Sequence, residues 1–156
     1  MNTDIKGKIL ASQVIKCTLG VEFHPTEDEF NILDGWFEYK GKNYGLEIKN
    51  MCEGRYFKFN DVLIAPNKYE YSIGEGKEAS GLTATYMFNY IELEDQTKIL
   101  ITNFDNCQNA RIITFLAPTC HKEDAEREER PFYSIPRTKA RKYTIIDDTL
   151  YEDGEV

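Results

Sequence analysis

Positive charge is scarce in this chain. Its 156 residues hold 19 lysines and arginines against 27 aspartates and glutamates, a net charge of −8. That deficit excludes a protein that coats nucleic acid nonspecifically, which needs a broad basic face. No apolar run approaches the roughly 20 residues of a membrane helix, so no membrane partner is expected. The first 19 residues carry lysines and polar groups throughout and lack a secretory core, which makes the cytoplasm the expected compartment. Histidine is nearly absent, with only His24 and His121, and the four cysteines, Cys17, Cys52, Cys107 and Cys120, include no CxxC pair. A zinc site, a disulfide framework and a histidine-based catalytic triad are all unsupported on those grounds.

What is present suits one α/β domain. Hydrophobic content of 41%, with 13% aromatic residues, is enough for a core at this length. Residues 1–146 read as a single domain and 147–156, with five acids and no base, as a flexible acidic tail. Apolar residues at Ile5, Ile9, Leu10, Val14 and Cys17 predict a helix over Thr3 to Leu19, stopped at Gly20. A hairpin follows, Ile32 to Lys40 and Tyr44 to Lys49, with a turn at Gly41-Lys42 that places Asp34 opposite Lys49. Alternation then puts Leu33, Phe37, Tyr39, Tyr44, Leu46 and Ile48 on a core side and Asp34, Trp36, Glu38, Glu47 and Lys49 on a polar side.

Beyond the hairpin, a third strand is expected at Arg55 to Phe59, then a loop with an irregular helix around Asn67 to Ile73. Strands are expected at Leu82 to Leu93, Lys98 to Phe104 and Arg111 to Leu116. His121 to Arg130 reads as a charged segment, and Phe132 to Ile146 as an extended arm, its prolines Pro131 and Pro136 arguing against a central strand.

The polar side of the hairpin carries the chemistry. Carboxylates on neighbouring strands can hold magnesium, which prefers oxygen ligands and keeps open positions for water and a phosphate oxygen. Lys49 projects on the same side and can offset charge on a phosphoryl group in its transition state. The acid-x-Lys string alone is weak evidence: about two copies are expected by chance, and the chain has Asp4-Ile-Lys6, Glu38-Tyr-Lys40, Glu47-Ile-Lys49 and Glu75-Gly-Lys77. Only Glu47-Ile48-Lys49 has an aspartate on the neighbouring strand and the same face.

Leu33-Asp34-Gly35 followed by Leu46-Glu47-Ile48-Lys49, with twelve residues between Asp34 and Glu47, resembles the PD-(D/E)XK nuclease superfamily. The resemblance spans roughly residues 3 to 93. It implies a restriction endonuclease-like core (helix, β-hairpin, third strand, helix, strand) with additional C-terminal strands, and a nuclease that hydrolyses DNA with Mg²⁺ or Mn²⁺. Asp34 and Glu47 would bind the metal, the Ile48 carbonyl would be a further ligand, and Lys49 would be catalytic. Leu33 replaces the motif's proline, and the leading helix offers no glutamate; Glu22, Glu27 and Glu29 are the nearest candidates for a third acid. Small stand-alone nucleases of this kind are frequent in phages and mobile elements.

Arg55, Lys58 and Lys68, and Arg137, Lys139 and Arg141 along the arm, are candidate phosphate contacts. A chain of this size has no separate sequence-reading domain, so recognition of DNA structure, a homodimer or a targeting protein would direct it. Two rivals stand beside this reading: an inactive nuclease fold or phage-encoded interaction protein that binds a protein partner, and a nuclease acting on RNA.

Overall fold

A computed structural model describes residues 3–26, 32–118 and 126–153. Helix α1 (Thr3–Leu19) ends where Gly20 takes φ of +73°, the left-handed stop that glycine adopts without strain. Strands β1 (Phe23–Pro25), β2 (Gly35–Tyr39) and β3 (Lys42–Asn50) follow, then helix α2 (Glu53–Lys58), strand β4 (Asp61–Ile64), and helices α3 (Pro66–Ile73) and α4 (Glu75–Glu78). Strands β5 (Leu82–Glu92), β6 (Thr97–Asn103), β7 (Arg111–Pro118), β8 (Arg127–Pro136), β9 (Arg141–Ile146) and β10 (Thr149–Glu152) complete the chain. Short 3₁₀ segments at Phe104–Asn109 and Arg137–Lys139 join β6 to β7 and β8 to β9. The architecture is mixed α/β. Among the described residues, no helix is long and apolar enough to cross a membrane.

The main sheet has seven strands in the order β1-β2-β3-β5-β6-β9-β10, and a smaller sheet has the order β4-β8-β7. Within the main sheet only β3 and β5 run parallel, joined by the segment that holds α2, β4, α3 and α4. One face of the main sheet packs on α1 through Leu10, Ala11, Val14 and Ile15 against Phe37, Leu46, Phe88 and Tyr90. The other face packs Met87, Ile91 and Leu100 against Val62, Ile64 and Ile135 of the smaller sheet. The α1 face differs from the expected stripe: Ile5, Ile9 and Cys17 are exposed, and the buried line runs through Gly7, Leu10, Ala11, Val14 and Ile15. Gly7 permits this rotation, because a Cβ there would stand 2.7 Å from Ile48 Cγ2 and 3.0 Å from the Tyr90 ring.

Several expected elements fall elsewhere. Residues 55–58 of the expected third strand belong to α2, and the hairpin is flanked instead by β1, which precedes it, and by β5. The loop expected over Asp61 to Ser80 contains β4 before its helix. The arm is not an arm: β8 is the central strand of the smaller sheet. Pro131 pairs with Thr114 of β7, whereas β4 ends at Ile64 opposite Tyr133, so no β4 residue needs the missing N–H. Residues 147–152 of the expected tail form a turn and a strand. Asp147 and Asp148, at φ of 48° and 62°, make the tight turn that returns β10 onto β9, and Asp153 accepts from Thr144 Oγ1 at 2.6 Å. Residues 121–125 of the expected charged segment lie outside the described residues, and 127–130 belong to β8.

Candidate metal centre

The hairpin turn is Lys40-Gly41, with φ of 52° and 76°, the mirror-image geometry that suits two-residue hairpins. It is one residue earlier than the expected turn, which slides the ladder by two positions. Gly35 pairs with Leu46, so Asp34 stands level with Glu47 instead of Lys49. An even slip leaves every side chain on its original face, and the carboxylates come closer together. Leu33 does depart from alternation: its side chain crowds Gly45 and so lies on the carboxylate side, apart from Phe37 and Leu46.

Asp34 leaves the regular ladder. Its N–H donates to the Leu46 carbonyl at 3.0 Å, and its Oδ2 accepts the Ile48 N–H at 2.7 Å. The carboxylate thus replaces the backbone partner that β2 would have supplied. In a strand the N–H and C=O of one residue point to the same side, so the Ile48 carbonyl also faces the region beyond the end of β2. The Ile48 side chain packs the opposite way, against Gly7 of α1.

Glu47 is the buried member, its side chain 12% exposed. Its Oε2 lies 3.0 Å from Lys68 Nζ, a charge contact without the alignment of a directed hydrogen bond. Lys68 comes from the first turns of α3 and also donates to the Ile32 carbonyl. Burial pushes the Glu47 carboxyl up to about 8, and a hydrogen bond and negative charge from Asp34 push the same way. Lys68 opposes the shift without cancelling it. Without a cation, Glu47 therefore keeps its proton at neutral pH.

These donors suit a hard divalent cation: two carboxyl groups, one holding a buried oxygen with no directed hydrogen bond, and a backbone carbonyl turned to the same side. Among the described residues no group of three or more Asp, Glu, His or Cys gathers, so the pair stands without a third acid. Glu22 does not supply one. It extends β1 to the level of Glu38, toward the turn, and its Oε1 pairs with Lys16 Nζ at 3.0 Å. Glu27 and Glu29 lie outside the described residues. Lys49 is exposed, two residues along β3 on the Glu47 side.

The other cations scatter. Arg55 is ion-paired with Asp61 and lies 4.2 Å from the Phe59 ring centre. Arg137 is buried, donating to the carbonyls of Tyr56 at 2.8 Å, Asp61 at 3.2 Å and Arg55 at 3.3 Å. Both hold α2 to the smaller sheet, so their guanidiniums are committed internally. The 3₁₀ turn breaks the alternation expected through Arg137, Lys139 and Arg141. Arg141 lines a cavity of about 610 Å³ on the α1 side, away from Glu47, while Lys58 and Lys139 are simply exposed. Only Lys68, of the six candidate phosphate contacts, joins the carboxylates.

Sequence reasoning missed Asn89 and Thr85. Paired with Lys49 and Gly45, they stand on the Glu47 face of β5, and both have buried side-chain oxygens without a hydrogen-bond partner among the described residues. Polar residues alternating with Met87 and Ile91 inside an apolar strand were the available signal. No protein-family model, curated protein or solved structure matches this chain.

Proposed function

We propose that the chain is a magnesium- or manganese-dependent nuclease that hydrolyses DNA phosphodiester bonds at Asp34, Glu47 and Lys49. The observation that carries the reading is the Asp34–Glu47 pair itself: two carboxyls level with each other on adjoining strands, one of them largely buried, with a lysine two residues along the same strand. A largely buried carboxyl beside a second one is costly to keep, and Lys68 offsets only part of that cost. Asp34, Glu47 and the Ile48 carbonyl would hold the cation. When bound, it would polarise a phosphate oxygen and ease the formation of hydroxide from water.

The remaining roles belong to the chain. Lys49 Nζ, at the solvent edge, orients the attacking water or offsets charge building on the phosphoryl oxygens. Lys68 holds Glu47 in place from α3 and supplies a positive charge inside the pocket. The Ile48 amide fixes the Asp34 carboxylate, so that one carboxyl is anchored before any ligand arrives.

The element order supports a restriction endonuclease-like core: α1, the acid-bearing hairpin, intervening helices, then β5 parallel to β3. The third strand is placed differently, ahead of the hairpin. A net charge of −8 argues against a broad basic face, so targeting would rest on DNA structure or on a partner.

The test is cleavage of supercoiled, linear and branched DNA with Mg²⁺ or Mn²⁺, wild type beside Glu47→Gln and Lys49→Ala. Metal-dependent cutting abolished by both substitutions is expected. Cutting that survives Glu47→Gln would remove the site from the mechanism. A wild type that cuts nothing would leave a binding scaffold.

A further inference from the structure

Beside the carboxylates lies a cavity of about 380 Å³, lined by Thr26, Ile32, Leu33, Gly35, Trp36, Asn43, Tyr71, Ser80 and Leu82. Its lining adjoins the candidate metal centre along the chain. Leu33 and Gly35 flank Asp34 in the chain, and the Ile32 carbonyl is the one that Lys68 grips. Its walls come from two directions. Trp36 projects from β2 on the same side as Asp34, and Tyr71 comes from α3.

Both aromatic side chains are held in position. Trp36 is 40% exposed, unusual for the chain's one tryptophan, and its ring centre lies 4.4 Å from that of His24. The Tyr71 ring lies against the backbone of Gly76, where a Cβ would come within 2.9 Å of it. The Tyr71 hydroxyl stands 3.4 Å from Ser80 Oγ. With Asn43 and Thr26, these groups give an aromatic cleft a few hydrogen-bonding atoms and, among the described residues, no charged side chain. Flat aromatic walls with amide and hydroxyl edges suit a nucleobase, whose face stacks and whose edge both donates and accepts. A paired base offers neither its face nor its pairing edge, so a base entering here must be unstacked.

Distance fits the same occupant. Asp34 and Trp36 are two residues apart on one side of the chain, about 7 Å, comparable to the reach from a phosphate to the base of an adjoining nucleotide. We infer that this cavity takes an unpaired nucleobase next to the phosphate held at Asp34 and Glu47, and that the substrate is single-stranded or locally unpaired nucleic acid. The inference rests on the nuclease reading for the identity of the phosphate site. Stacking and metal contacts then stand in for a broad basic face.

Trp36, as the sole tryptophan, reports on its own cavity. The experiment titrates a twelve-residue oligothymidine, and separately a blunt hairpin duplex, into the whole protein with Ca²⁺ in place of Mg²⁺, following tryptophan fluorescence. Saturable quenching by the single strand, about tenfold tighter than by the duplex, is expected, and Tyr71→Ala should weaken it about tenfold. Asn43→Leu, at a partly exposed hairpin position, is the second variant should Tyr71→Ala fail to give the wild-type circular dichroism spectrum. No quenching, equal response to the duplex, or quenching indifferent to the folded variants would overturn the inference. Metal-dependent cleavage without quenching sinks the base cavity and leaves the nuclease reading standing. Quenching without cleavage under any metal keeps the cavity and sinks the nuclease.

Discussion

Replacing Glu47 with glutamine should stabilise the metal-free protein, and by more as the pH rises. The carboxyl ordinarily titrates near 4.5, and in the fold burial, with Asp34 adding to it, holds it near 8. Below 4.5 both folded and unfolded states are protonated and nothing is lost. Between 4.5 and 8 the unfolded chain has released a proton that the folded chain keeps, so stability falls as pH rises. Above 8 both states are ionised and the full penalty stands. A displacement of that size is worth about 5 kcal/mol above pH 8 and about 3 kcal/mol at pH 7.

Glutamine keeps the shape and never ionises. Lys68, 28% exposed, can swing toward solvent and relieve part of the strain in the wild type. The expected gain at pH 8.5 is therefore about 2–3 kcal/mol, a rise in Tm of about 4–10 °C for a chain of this length. Thermal or urea denaturation in EDTA at pH 5 and pH 8.5 measures it. A variant no more stable than wild type at pH 8.5, or a gap that does not widen with pH, would refute the reasoning.

Three further outcomes follow from the packing. Arg137→Leu should cost about 3 kcal/mol or more in urea denaturation, since three backbone carbonyls lose their donor, while nucleic-acid binding per folded molecule stays at the wild-type level. Ending the chain after Ile146 removes β10, the turn before it and the Asp153 carboxylate, which also faces Lys98 Nζ at 3.4 Å; a loss of about 2 kcal/mol or more is expected, where a solvated tail would cost under about 0.5. Gly7→Ala tests sign: helix propensity alone favours alanine by about 1 kcal/mol, but the contact with Ile48 and Tyr90 should make the net change destabilising by about 1 kcal/mol in the same assay.

Local patterns carried the reading furthest. The span of α1 was legible because Gly20 marks its stop, and the two faces of the hairpin because a two-residue slip cannot exchange them. Its exact register was not legible, since Lys40-Gly41 and Gly41-Lys42 are adjacent turn candidates and a lysine at positive φ is uncommon. Long-range choices were hidden as well. Pro131 looked incompatible with a central strand because nothing local shows that β4 stops short of it. Arg137 looked like one of a basic row, and only the fold shows the three carbonyls that absorb it. In the candidate site Asp34 and Glu47 were readable as a pair. Lys68 was read as a distant phosphate contact, because its approach to Glu47 depends on how α3 returns over the sheet.

The most direct measurement is calorimetric titration of Mg²⁺ into wild type, Asp34→Asn and Glu47→Gln at pH 7 in two buffers of different ionisation enthalpy. One ion per chain should bind wild type and release about one proton, because the cation displaces the proton that the buried Glu47 carboxyl keeps, and neither variant should bind comparably. Binding unaffected by both substitutions, or no binding to wild type, would contradict a metal centre at Asp34 and Glu47.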